Sequence, residues 1–174
     1  MVQIILSNAI DNNRRFESVT YARAWWMTEL KSFARSRSVM RWNMAAFYIL
    51  AGIVHIAAPG KFLPIVPGWV PSPALVVLLT GVCEIAGGSA LLIGRLQRLA
   101  GVMLALYAVC VFPANVKHAI EAIDLPPMPN TWWYHGPRLA LQPVLVWWAL
   151  FSAAVIDWPF HKPRARTRRT PHGD

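Results

Sequence analysis

Four residues stand out because their types do not suit their surroundings. His55, Glu84, Asn115 and Gln142 each lie in a separate hydrophobic stretch of the chain. Hydrocarbon offers no water to solvate such groups, so they are expected to turn away from lipid and meet in a shared interior. An ionised carboxylate alone in hydrocarbon costs about 2.5–3.5 kcal/mol or more, so Glu84 must be protonated or paired. His55 and Arg138 are the candidate partners. A buried carboxyl beside an imidazole can exchange protons near neutral pH. That chemistry suits a proton-coupled site or the head of a quinone, whose carbonyls need hydrogen-bond donors. The alternative is that the polar groups bond one another and only fix helix register.

Helical spacing supports an inward placement. Gly81, Glu84 and Gly88 share a face of one segment, with Gly87 beside them, and small residues let a second helix approach closely. Tyr48, Gly52 and His55 share a stripe in another segment, and so do Arg138, Gln142, Leu145, Ala149 and Ser152 in a third. Gly101, Ala105, Ala108, Phe112 and Asn115 form the remaining stripe. The candidate ligand or proton site is therefore Glu84, His55, Asn115, Arg138 and Gln142, with Gly81, Gly87 and Gly88 as helix-packing positions. Lys117 and His118 read as solvated residues at the rim. No catalytic residue can be assigned. His55, Glu84 and His118 are one each on separate elements without metal-ligand spacing, so no metal site is expected.

The elements that must position these residues follow from composition. The 174 residues are 56% hydrophobic and only 14% charged, which points to an integral membrane domain. The expected spans are 42–58, 73–93, 99–117 and 138–156, each about 17–21 residues and long enough to cross a core of about 30 Å. Short connections predict an all-α, up-down-up-down four-helix bundle over residues 41–158. The 59–73 connection carries five prolines among apolar residues and should cover the membrane face of the bundle. Ahead of the bundle, Val19, Ala22, Trp26, Leu30 and Phe33 fall at helical spacing among basic residues. Residues 1–40 thus read as a basic, amphipathic interfacial helix, or as an extension preceding a start at Met40 or Met44. Residues 159–174 read as a basic disordered tail.

The net charge of +9 raises the question of nucleic acid. Its placement argues against that partner. Basic residues crowd residues 1–41, the Arg95–Arg98 turn and the tail from Lys162 to Arg169, and only Lys61, Lys117 and Arg138 fall elsewhere. This alternation is the positive-inside pattern, with both termini cytoplasmic and anionic lipid as the natural neighbour. Cys83 and Cys110 form no C-x-x-C pair and read as small buried apolar side chains.

Several segments in order resemble the DoxX family of small four-helix membrane proteins. They are Ala51-Gly52-Ile53-Val54-His55 with Pro59 and Phe62, Leu63-Pro64-Ile65-Val66-Pro67, and Gly81 through Gly88 around Glu84. The Arg95/Arg98 turn, Phe112-Pro113-Ala114-Asn115-Val116, and Arg138-Leu139 with Gln142-Pro143 and Trp147-Trp148 complete the set. The resemblance runs from about Asn43 to Trp148. It implies a multi-pass protein of a bacterial-type cytoplasmic (inner) membrane, linked to quinone-dependent or thiol-handling oxidoreductases. The combined expectation is an accessory subunit that binds a lipophilic, quinone-like redox molecule for a membrane-associated oxidoreductase. A small proton-coupled transporter or lipophile-binding protein, and a structural or assembly module, stand as alternatives.

Overall fold

The computed structural model describes residues 2–126 and 129–159, and the side chains of all of these except 2–19 and 22–24. The expected basic tail beyond Pro159, and the side chains of Val19 and Ala22 in the expected amphipathic stripe, lie outside what is described. Arg37–Trp158 form one unit, and the remaining described residues belong to a second.

The fold is all-α, but its organisation differs from the four-helix expectation. Five helices are present among the described residues: α1 (Val2–Ala57), α2 (Pro73–Leu92), α3 (Gln97–Ile120), α4 (Trp132–Ala140) and α5 (Gln142–Ser152). Among the described residues, three segments are long and apolar enough to cross a membrane: Trp25–Ala57, Pro73–Leu92 and Gln97–Ile120.

The first departure is at the N-terminus. No separate interfacial helix precedes the first span, because α1 is one continuous helix of 56 residues. The sequence has no glycine before Gly52 and no proline before Pro59, so nothing interrupts the backbone ladder. The second departure is the expected span 138–156. It is replaced by α4 and α5, of nine and 11 residues, which part at Leu141. Pro143 has no N–H to donate, and its ring crowds the carbonyl four residues back. Pro137 imposes the same restriction inside α4. At 1.5 Å per residue neither piece reaches across about 30 Å.

The broken segment nonetheless returns the chain along the bundle. Arg138 of α4 meets His118 near the end of α3. Asp157, beyond α5, meets Arg37 of α1 at 2.6 Å, and Arg41 of α1 bonds Gln97 at the start of α3. Trp148 ties α5 to α1 through a 3.0 Å bond to the Met40 carbonyl.

The two ends of the Arg37–Trp158 unit are packed differently. At the arginine end, Met44, Ala45, Tyr48, Leu91, Ala100, Leu104, Ala105, Ala149 and Ala153 make a tight core. Small residues dominate there, so backbones approach closely. A Cβ added at Gly101 would collide with Ala153, and one at Gly88 would lie 2.9 Å from the Ala45 carbonyl oxygen. Towards the other end residues of the same helices line a cavity.

The outward face is apolar. Leu50, Ile53, Leu79, Val82, Met103, Leu106 and Val109 are all exposed on the three long helices. An apolar surface of this extent is what a bilayer covers and what water-soluble proteins avoid. The chain is thus a small all-α protein with long apolar helices, consistent with a multi-pass membrane protein. Cys83 and Cys110 lie on the exposed side, which corrects the expectation that they are buried.

Candidate functional site

The site is set by one helix crossing. α1 and α2 touch backbone to backbone where Gly52 faces Gly81: a Cβ at Gly52 would lie 2.5 Å from the Gly81 carbonyl oxygen, and one at Gly81 2.9 Å from the Gly52 oxygen. His55 and Glu84 each follow their glycine by three residues, and because the helices run antiparallel they flank the crossing from opposite sides; their side chains, which lean back towards each helix's N-terminus, meet across it. The third packing glycine, Gly87, receives Leu104 of α3, and Gly88 receives Ile49 of α1.

Glu84 is 4% exposed. Its Oε1 accepts a 2.7 Å hydrogen bond from the Tyr107 hydroxyl. Its Oε2 lies 2.9 Å from His55 Nδ1. That same nitrogen is 3.0 Å from the Ala51 carbonyl oxygen, which can only accept, so Nδ1 carries the hydrogen. One N–H therefore faces two acceptors, and it is directed at Ala51. Glu84 Oε2 is left, among the described residues, with a close imidazole but no directed donor. Phe62 stacks on the His55 ring at 3.9 Å and fixes its plane. Tyr48 packs edge-on against Tyr107.

A second polar group lies across the cavity. Gln142 donates through Nε2 to the Ala108 carbonyl and accepts a 3.2 Å bond from Asn115 Nδ2. This orients the Asn115 oxygen towards Arg138, whose Nη2 donates to it at 3.1 Å and to the Asn115 carbonyl at 3.3 Å. Arg138 Nη1 donates to His118 Nδ1 at 2.7 Å, which makes that nitrogen the unprotonated one. His118 is 1% exposed and packs edge-on against His135. Expecting His118 at a solvated rim was therefore wrong. The reason lies in the fold: α4 folds back over the end of α3 and covers it.

His135, which carried no signal in the sequence, is also buried. Its Nε2 lies 3.2 Å from Asn130 Oδ1, and its Nδ1 has no partner among the described residues. Burial, reinforced by the nearby Arg138 guanidinium, holds the His135 imidazole below its usual range.

Both polar groups line one cavity of about 670 Å³. The rest of its wall is largely apolar and aromatic, including Phe47, Trp69, Val111, Leu145 and Trp148. The proline-rich connection supplies Phe62, Ile65, Val66, Pro67 and Val70 to it. Lys117 fastens that connection, donating 2.8 Å bonds to both the Pro64 and Val66 carbonyls. The volume falls in the range of about 300–1,000 Å³ usual for small-molecule sites.

The structure thus brings all five sequence-predicted site residues to one cavity but in two groups. Glu84 pairs with His55, while Arg138 sits with Asn115 and Gln142. Sequence reasoning missed Tyr107, whose position on α3 places it opposite Glu84. Residues 44–153 match the family model described as a domain of unknown function (DUF8561). The chain belongs to that family. The matched span holds the Gly52–Gly81 crossing, both polar groups and the connection that covers them. No curated protein and no solved structure matches the chain.

Proposed function

We propose that this protein binds a lipophilic molecule with a quinone-like, oxygen-bearing head inside the cavity and presents it to a membrane-associated oxidoreductase. The observation that carries the reading is the cavity itself: about 670 Å³, mostly apolar, and interrupted by polar side chains at only two places. An apolar space of that kind favours an oily body, and the two polar groups supply fixed partners for its oxygens. The DoxX resemblance of residues 43–148 points the same way. The His55–Glu84 contact adds proton chemistry. On taking up one proton the pair gains a second arrangement: the Nδ1 hydrogen passes to Glu84 Oε2, which donates it back to Nδ1, and the added proton sits on Nε2.

The protein resides in a bacterial-type inner membrane with its arginine end cytoplasmic. Arg37, Arg41, Arg95 and Arg98 support that orientation, and the contact of Asp157 with Arg37 supports both chain ends leaving on that side. Photo-crosslinking with an azidoquinone in membranes tests the binding. Labelling should fall at least tenfold, about 1.4 kcal/mol in affinity, when His55 and Glu84 are both replaced by alanine. Labelling unchanged in that double variant would remove the proposal. The close His55–Glu84 contact also favours a second reading, proton-coupled transport of the occupant. Flux into proteoliposomes that follows an imposed pH gradient would support it.

A further inference from the structure

The charges around the cavity do not cancel in place. Glu84 has the His55 imidazole at 2.9 Å, a counterpart when that ring is protonated. Of the other described carboxylates with an ion pair, Asp157 is held by Arg37 and Glu121 by Lys117. Arg138 has none. Its guanidinium faces three neutral acceptors, His118 Nδ1 and the two oxygens of Asn115, and lies over the Tyr134 ring at 5.5 Å. Among the described residues its Nε is buried with no acceptor at all. A guanidinium stays protonated under all ordinary conditions, so the charge cannot be shed. In a low-dielectric wall, an unbalanced cation attracts whatever anion can enter. Arg138 lines the cavity, whose wall is mostly hydrocarbon.

We infer that the Arg138 end of the cavity is an anion subsite, and that the occupant is an amphiphile whose ionised oxygen group sits against Arg138 while its chain fills the apolar wall. This rests on the cavity holding a lipophile, as proposed above, and adds the charge of its head. Asn115 and Gln142 position the guanidinium. Gln142 is pinned to the Ala108 carbonyl, Asn115 to Gln142, and Arg138 to Asn115, so the cation is held at the wall instead of turning away. A lipophilic cation is disfavoured by the same charge, although the aromatic residues alone would suit one.

The test compares occupants of equal chain length on the unaltered protein in phosphatidylcholine nanodiscs. Laurate and dodecanol compete against a bound azidoquinone probe. Laurate should displace the probe at least about tenfold better, the preference expected of a charge-assisted bond over a neutral one. Arg138→Gln should abolish the preference, and Arg138→Lys should keep part of it, because charge remains while the planar fork is lost. Equal displacement by acid and alcohol overturns the anion subsite while leaving the lipophile reading intact. No displacement by either, with no probe labelling, overturns both. Because the first comparison needs no substitution, misfolding of a variant does not blunt it. Replacing phosphatidylcholine by phosphatidylglycerol separates two sources of the same chemistry: weakened laurate binding assigns the subsite to an anionic membrane lipid, and unchanged binding assigns it to a free acid.

Discussion

Replacing Gly52 by alanine should open the His55–Glu84 contact without touching either residue. The new Cβ would lie 2.5 Å from the Gly81 carbonyl oxygen, 2.7 Å from Ile85 Cγ1 and 3.0 Å from Glu84 Cβ. Ordinary contact needs about 3.5 Å or more, so α2 has to retreat by roughly 1 Å. His55 and Glu84 flank the crossing within a turn on either side and feel most of that displacement. Their 2.9 Å contact then stretches to about 4 Å, past hydrogen-bonding range. Overpacking of this kind costs about 1–3 kcal/mol. Weakening a contact to a buried charged group adds about 1.5–3 kcal/mol, and the lower end applies because the His55 side chain is 20% exposed. The expected loss is about 2.5–4.5 kcal/mol, read by reversible unfolding in mixed detergent micelles. A double-mutant cycle with Glu84→Gln isolates the pair. In that background the Gly52→Ala penalty should shrink by about 1 kcal/mol, because the contact is already altered. Gly60→Ala is the control: its Cβ would meet nothing within 4 Å and should change stability by less than about 0.5 kcal/mol. An equal Gly52→Ala penalty in both backgrounds would refute the link between the crossing and the polar pair.

Other perturbations probe the rest of the site. Tyr107→Phe removes the 2.7 Å bond to Glu84 Oε1 and should cost about 1–3 kcal/mol in the same unfolding assay. Lys117→Ala releases the Pro64 and Val66 carbonyls, so protease or hydrogen-exchange access to residues 59–72 should rise while global stability falls by about 1 kcal/mol or less. His135 predicts a pH dependence. Its folded-state value lies below the unfolded 6.5, so the unfolded chain takes up the proton first; the stability it contributes is full above about pH 6.5 and is lost as the pH falls through the folded-state value. His135→Asn should flatten that part of the stability–pH curve relative to the parent chain, and an unchanged slope would count against a buried neutral imidazole.

The broad class was legible from composition, because a helix that faces lipid must be apolar on its outer surface wherever it packs. The placement of Gly81, Glu84 and Gly88 on an inward face was legible too, since helical periodicity is local. So was the start of α2 at Pro73, where a missing N–H costs nothing. The four-span expectation failed at Pro137 and Pro143 for a reason that hydropathy cannot register. Residues 138–156 are apolar enough to look like one helix, but backbone hydrogen bonding, not hydropathy, decides whether they form one. The missing break near residue 40 is the converse: amphipathicity changes there, while nothing in the backbone chemistry does.

By itself, then, the sequence determined an apolar, helical chain with a basic end and a few polar residues turned from lipid. Tertiary structure alone decided who partners whom. Glu84 had two candidate cations, and the Gly52–Gly81 crossing gave it His55 because close backbone approach brings those two side chains together. Arg138 went instead to His118 and Asn115, because α4 folds over the end of α3. Pairings of that kind depend on interhelical distances of an ångström or two, and spacing along a single helix carries no trace of them.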